Sequence, residues 1–205
     1  MKQIYAVVLE GSLVRLEPLN ADHVPGLMLA AEEDRSAYEW TTVPRAEEVA
    51  DYVADALVRD GMTPFAQIRV SDGAPVGCTA LWNPRHWPDR EDLAAVNIGW
   101  TWLAASAQRT GINAEAKLLL LTYAFEELGL VRVDIVTDER NQRSRQAIER
   151  LGARFEGVLR NWSRSHAPGE EGKLRNTAMF SITGTEWPGV KAGLAARIAR
   201  GGTQR

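Results

Sequence analysis

The 205-residue chain reads as an α/β (α+β) domain built on a mixed central sheet. Two observations lead to that class. Stretches with the two-residue period of strands alternate with stretches of helical period. Glycines at Gly61, Gly73, Gly129 and Gly152 fall at the junctions between them. The bulk numbers agree: 45% hydrophobic and 25% charged residues are ordinary for a globular chain. A chain of this length fits one domain over residues 1–205, with a core at about 10–185 and a C-terminal helix at about 186–200 before a frayed tail.

In order, Gly11 to Leu19 alternates Leu13 with polar Arg15 and Glu17 and reads as a strand. Asn20 to Ala31 reads as a helix capped by Asn20, and Tyr38 to Pro44 as a loop. The next helix carries Val49, Tyr52, Val53, Ala56 and Leu57 on one face and stops at Asp60-Gly61. Phe65–Val70 and Val76–Trp82 form a hairpin turned by Ser71-Asp72-Gly73. A loop rich in proline and charge spans Asn83–Asp92, and Ala94–Leu103 is a strand. A long helix follows, with Leu118, Leu121, Phe125 and Leu128 at helical spacing and Gly129 as its cap. Val131, Val133 and Ile135 mark another strand. Asp138 or Asn141 opens a helix that turns Ala147, Ile148 and Leu151 inward and ends at Gly152. Strands at Arg154–Trp162 and Leu174–Ile182 flank the polar loop Ser163–Gly172, which holds Pro168, Gly169 and Gly172. Glu186–Arg200 reads as the last helix.

Composition narrows the function. A net charge of −3 argues against a broad nucleic-acid surface, although Arg140, Arg143, Arg145 and Arg150 lie close together. No nucleic-acid partner is expected. Neither is a membrane partner, because no apolar run approaches the roughly 18 residues of a span. The opening Met1 to Glu10 is too short and too soon charged for a signal peptide. The single cysteine, Cys78, allows no intrachain disulfide and no cysteine metal site, which suits a reducing, cytoplasmic setting. His23, His86 and His166 lack metal-ligand spacing, so no metal is expected. Asn161-Trp162-Ser163 matches a glycosylation sequon, which has no meaning in the cytoplasm. Of seven tryptophans, Trp40 and Trp87 sit in loop-like sequence and are candidates for an acceptor pocket. Core and surface packing is the commoner use of any one tryptophan.

The chemistry concentrates at Gln108-Arg109-Thr110-Gly111-Ile112-Asn113, between a strand and a helix. A helix N-terminus presents unpaired N–H groups and a partial positive charge, which together suit a phosphate or pyrophosphate. Gly111 lets the backbone approach the anion. Arg109 adds a charge-assisted contact and Thr110 a hydroxyl. No Gly-Lys-Ser/Thr follows, so this is not a Walker loop, and the three-glycine dinucleotide fingerprint is absent. An ordinary strand-to-helix turn would look the same locally.

The surroundings distinguish it. Asn97-Ile98-Gly99-Trp100-Thr101-Trp102-Leu103, the loop above, Glu115-Ala116-Lys117, Asn141-Gln142-Arg143-Ser144 and Leu151-Gly152-Ala153 occur in that order. The set resembles the acetyl-CoA core of the GNAT N-acetyltransferase superfamily, whose pyrophosphate motif is Gln-x-x-Gly-x-(Gly/Ala). Phe155-Glu156-Gly157-Val158-Leu159-Arg160 resembles the RimJ/RimL branch. The likeness covers roughly residues 10–190. It implies a sheet of about six to seven strands, splayed in the middle, flanked by about four helices plus the C-terminal one. It also implies acetyl-CoA as co-substrate and an amine as acceptor. Backbone groups of Trp102 and Leu103 would pair with the pantetheine arm. Gln108, Arg109, Thr110, Gly111, Ile112, Asn113 and Ala114 would wrap the pyrophosphate. Asn141 would bond the pantetheine, and Ser144 would sit near the thioester sulfur as the proton donor. Trp40, His86, Trp87 and Asn97 are candidates for the acceptor side.

Three positions depart from the pattern. Asn113 stands where the loop ends in Gly or Ala. Ile148 stands where many relatives carry a tyrosine acid, and Asn97 where many carry a glutamate base. A lysine, of pKa about 10.4, is neutral in about one molecule in two thousand at pH 7, against roughly one in ten for an α-amine. A site without a strong base is therefore expected to favour an α-amine or another amine of low pKa. Glu156 or water is left to take the proton. The acceptor reads as a protein N-terminus or a small-molecule amine, including antibiotics and peptide metabolites. A non-catalytic acyl-CoA-binding module is the alternative of another class. The Trp187-Pro188 segment and the last helix serve either a homodimer or packing.

Overall fold

The computed structural model describes residues 4–90, 92–165, 167 and 169–202. Among these the strands are β1 (Leu9–Glu10), β2 (Val14–Pro18), β3 (Met62–Arg69), β4 (Pro75–His86), β5 (Leu93–Leu103), β6 (Arg132–Asp138), β7 (Arg154–Arg164) and β8 (Leu174–Thr183). The α-helices are α1 (Val24–Ala31), α2 (Val49–Val58), α3 (Ile112–Thr122), α4 (Gln142–Glu149) and α5 (Trp187–Gly202). The strands form one sheet in the order β1-β2-β3-β4-β5-β6-β8-β7. The described strands exceed the expected six to seven because the two-residue β1 joins the edge of β2. His166 and Pro168 lie outside the described residues, as does the start of the chain, residues 1–3.

Caps set the helix ends. Asn20 Oδ1 accepts from the Asp22 N–H at 2.8 Å, and the Asn20 N–H donates to His23 Nδ1 at 3.2 Å. The other His23 nitrogen lies 3.0 Å from Glu17, so this buried histidine fastens a helix start to β2. Asn141, rather than Asp138, caps α4, accepting from the Ser144 N–H at 2.9 Å. Asp138 is instead held by Arg140 at 2.8 Å. After Thr122, α3 closes with a π-helical turn over Tyr123–Glu127.

Alternation along β4 assigns the faces. Thr79 turns to α3, so its neighbours Cys78 and Ala80 face the other way. There α1 and α2 pack on each other and on β3 and β4. On the Thr79 side α3 packs on α5, where Phe125 stacks on Trp187 at 5.3 Å and Glu126 accepts from Trp187 Nε1 at 2.7 Å. Phe65, Leu81, Ile98, Leu120, Phe180 and Ile182 fill the core between these layers.

β4 runs to His86, so Asn83–His86 is strand and not the expected loop. Its partnership with β3 ends at Trp82, but Arg85 and His86 still pair with Ala95 and Leu93 of β5. Pro84 is tolerated there because one edge needs no donor.

The sheet has one parallel junction, β5 against β6, among the described strands. Their pairing runs from Ala95↔Arg132 only to Ile98↔Ile135, while β6 stays paired with β8 through Asp138. At the closed end, the buried Asp134 carboxylate takes Arg85 from β4 and Arg132 at 2.5 Å. Arg132 also grips Glu156 of β7 at 2.5 Å, and Ser181 of β8 donates to the same carboxylate at 2.6 Å. A charge network thus ties four strands together where the sheet stays shut.

Candidate active site

The open end begins at a bulge. Ala80 pairs with Gly99, but Cys78 pairs with Trp102, so β5 has one residue more than β4 between these pairs. An extra residue bends a strand and raises its twist. Trp100 absorbs the bend at φ +53°, a region that costs a non-glycine residue about 1–2 kcal/mol. Tyr52 of α2 holds the ring there, stacked at 4.2 Å with planes 5° apart. Beyond the bulge, Trp100–Leu103 and Val136–Thr137 face each other across a cavity of about 1510 Å³. The cavity reaches Gln108, Arg109, Thr110, Gly111, Asn113 and Ala114 on one side and Asn141 and Ser144 on another.

These residues fit a pyrophosphate-bearing ligand. Gly111 has φ +95°, and a Cβ on it would stand 2.9 Å from Leu13 Cδ1, so the loop is tight as well as left-handed. The next residues start α3, whose first-turn N–H groups have no partner within the helix. The Arg109 guanidinium forms no ion pair with another described residue and is solvent-exposed at the loop. Trp82, Trp102 and Asn113 each carry a buried polar atom without a protein partner, and all three line the cavity. The carboxylate of Glu115 anchors the loop from behind. It accepts from the N–H groups of Ser12 at 3.0 Å, Leu13 at 2.6 Å and Val14 at 2.9 Å, and from the Ser12 hydroxyl at 2.7 Å.

Several side chains named from the sequence are placed differently from their expected use. Gln108 is engaged internally: Nε2 donates to the Leu103 carbonyl at 2.8 Å and Oε1 accepts from Arg143 at 2.6 Å. Tyr38 also donates to the Leu103 carbonyl, at 2.8 Å. Both lone pairs of that carbonyl are thus used, so it is not free for a pantetheine arm. The Trp102 carbonyl takes Gln67 Nε2 at 3.2 Å. Ile112 is buried in the core and does not line the cavity. Asn141 uses Oδ1 as the α4 cap, which leaves its amide donors toward the cavity. Ser144 lines the cavity, and its hydroxyl makes no hydrogen bond to another described residue.

On the acceptor side, Trp40 lines the cavity with Arg140 stacked 4.2 Å over its ring. His86, Trp87 and Asn97 do not line it. Asn97 pairs with Asp134 and His86 with Leu93, both at the shut end of the sheet. Glu156 is no base: the Arg132 guanidinium and then the Ser181 hydroxyl pull its carboxyl down to about 2.

One group was named from the sequence only as part of the Glu115-Ala116-Lys117 segment, with no role of its own. Lys117 of α3 is buried and borders the cavity. Its Nζ donates to Thr79 Oγ1 at 2.9 Å and to Thr101 Oγ1 at 2.6 Å, with no carboxylate beside it. The signal lay in the helix stripe: Lys117 stands between Ala114 and Leu121 on the inward face. Burial pushes the amine down to about 7. An unfolded lysine titrates near 10.4, so between the two values the unfolded chain binds the extra proton. Stability therefore rises as pH climbs from about 7 toward 10, and the whole burial penalty stands below 7. Lys117→Met is expected to melt several degrees above wild type at pH 6, with the gap closing toward pH 10. Paired thermal melts check this; a variant less stable at pH 6 would contradict it.

A splayed parallel junction facing a glycine turn and a helix N-terminus is the architecture of one class of enzyme. Residues 14–154 match the acetyltransferase (GNAT) domain model, and the chain belongs to that family of acyl-CoA-dependent N-acyltransferases. It is 28% identical over 182 residues to a Bacillus subtilis (strain 168) protein named "Putative ribosomal N-acetyltransferase YdaF", covering 86% of this chain and 92% of that one. A GCN5-related N-acetyltransferase from Brucella melitensis superposes with TM-score 0.84 at 30% identity, over 96% of this chain and 87% of that chain. Mycobacterium smegmatis RimJ, solved with CoA-disulfide, shares the fold at TM-score 0.75 and 21% identity, over 94% and 95% of the two chains. Among the described residues, no helix is long and apolar enough to cross a membrane.

Proposed function

We propose that this chain transfers the acetyl group of acetyl-CoA to the α-amino group of a protein or peptide, by direct attack in a ternary complex. The observation that carries the proposal is the gap between Trp100–Leu103 and Val136–Thr137, opening at the start of α3. Acetyl-CoA occupies the gap, with its pyrophosphate on the loop from Arg109 to Ala114. The neutral amine attacks the thioester carbonyl, helped by backbone N–H groups of β5. A C–N bond forms and the C–S bond breaks. The leaving sulfur takes a proton from the Ser144 side, and the amine's surplus proton passes to water. Much of the rate comes from holding the two reactants together.

One observation supports an α-amine. Among the described lining residues Asp55 is the one carboxylate, and it is exposed on α2, so no buried carboxylate stands ready to take a proton from lysine. The name of the Bacillus subtilis relative points to a protein acceptor.

The test is a matched pair of peptides at pH 7. One has a free N-terminus and no lysine; the other has a blocked N-terminus and one lysine. Thiol release is expected to be at least tenfold faster with the free N-terminus. Equal or faster release with the lysine peptide would overturn the α-amine assignment.

A further inference from the structure

Lys117 has no part in the reaction just described, yet an amine buried without a carboxylate is a costly thing to keep. Its hydrogen bonds show where its charge is directed. Nζ donates to the hydroxyls of Thr79 and Thr101. Those hydroxyls lie 2.9 Å apart, and both are directed at one acceptor, the Gly99 carbonyl, at 3.4 Å from Thr79 and 3.1 Å from Thr101. The chain of donors therefore runs from the amine, through two hydroxyls, into a single peptide group.

That peptide is the one joining Gly99 to Trp100 at the bulge. No described peptide bond is cis. In a planar trans peptide the carbonyl and the N–H point in opposite directions. With the Gly99 carbonyl turned toward Thr79, Thr101 and Lys117, the Trp100 N–H is directed away from them. Gly99, Trp100 and Thr101 all line the cavity. Drawing electron density toward the carbonyl oxygen makes the N–H across the same peptide a stronger donor, and hydrogen bonds in series reinforce one another.

We infer that Lys117 is a positioning residue for the acyl transfer, acting through Thr79 and Thr101 on the Gly99–Trp100 peptide so that the Trp100 N–H polarises the carbonyl of the bound acyl thioester. The inference rests on the proposed acetyl-CoA reading of the cavity. Lys117 touches neither substrate. Its effect is carried by the backbone, and Thr101 is the relay that approaches it most closely. The groups facing its amine are the two threonines. Glu115 on the same helix is committed to the N–H groups of residues 12–14.

The experiment is isotope-edited infrared spectroscopy of carbonyl-labelled acetyl-CoA bound to the full chain, alongside kcat and KM. Wild type is expected to shift the thioester carbonyl stretch to lower frequency than in solution. Lys117→Met and Thr101→Val are each expected to move it back toward the solution value. Both should lower kcat roughly tenfold or more while KM for acetyl-CoA changes less than about threefold. Should Lys117→Met fail to fold, Thr101→Val carries the test alone. If wild type shows the shift and a folded variant keeps it undiminished, the inference is overturned while the acetyl-CoA reading stands. If wild type binds no acetyl-CoA, that reading falls and takes the inference with it.

Discussion

Gly111→Val raises the dissociation constant for acetyl-CoA about a hundredfold or more, with the chain still folded. Three costs coincide at this residue. Its φ of +95° lies where L-residues are disfavoured by roughly 1–2 kcal/mol. A Cβ would meet Leu13 Cδ1 at 2.9 Å, so the Leu13 side chain would have to turn aside, and the two further carbons of valine crowd the same space. The side chain would also stand at the turn where the first N–H groups of α3 would meet the proposed pyrophosphate. Gly73→Val separates these costs. Gly73 has φ +71° with no atom within 4 Å of the place a Cβ would take, in a hairpin turn away from the cavity. It should lower the melting temperature by a comparable backbone penalty and leave binding unchanged. Calorimetric titration of both variants checks the pair, and equal affinities would mean that the loop does not hold the anion.

Glu115→Ala is expected to lower stability by about 3–5 kcal/mol, measured by denaturant unfolding. The carboxylate is buried and satisfies three backbone N–H groups and one hydroxyl at the entry to β2. Removing it leaves those donors without a partner and opens a cavity under Gly11, whose Cβ position lies 2.5 Å from Glu115 Oε2. Glu115→Gln keeps the volume but offers two donors where the site needs acceptors, so it should recover little. A loss below about 1 kcal/mol for the alanine variant would show that the β1–β2 corner holds without this anchor.

The order of elements was legible because it depends on local period and punctuation. Asn20 caps the first helix, and Gly129 and Gly152 end helical stretches at φ +70° and +94°. What the residues did not reveal depends on long-range geometry. Pro84 and its charged neighbours look like a loop, yet β5 holds them as strand on one edge. Nothing local marks Trp100 for a positive φ; the residue sits in the bulge opposite β4, and its ring stacks on Tyr52 of another element. Asn97 belongs to β5, which borders the cavity, but period alone does not say which end of a strand splays, and it lies at the shut end with Asp134. Glu156 reads as a free carboxylate until the sheet brings Arg132 to it from 24 residues away. Gln108 and Leu103 sit in the motif as expected, and their polar groups are nonetheless committed to each other, to Tyr38 and to Arg143. The strand, loop and helix start that border the cavity were thus readable as a set, while the buried amine beneath the bulge was not.

The most direct measurement is release of the free thiol of CoA from acetyl-CoA by the purified chain, with and without an amine acceptor, and with the acceptor's mass followed in parallel. The expected result is release that requires the amine, is matched mole for mole by its acetylation, and is lost in Gly111→Val. Binding of acetyl-CoA with no amine-dependent release across N-terminal peptides, polyamines and aminoglycosides would contradict catalysis and leave an acyl-CoA-binding module.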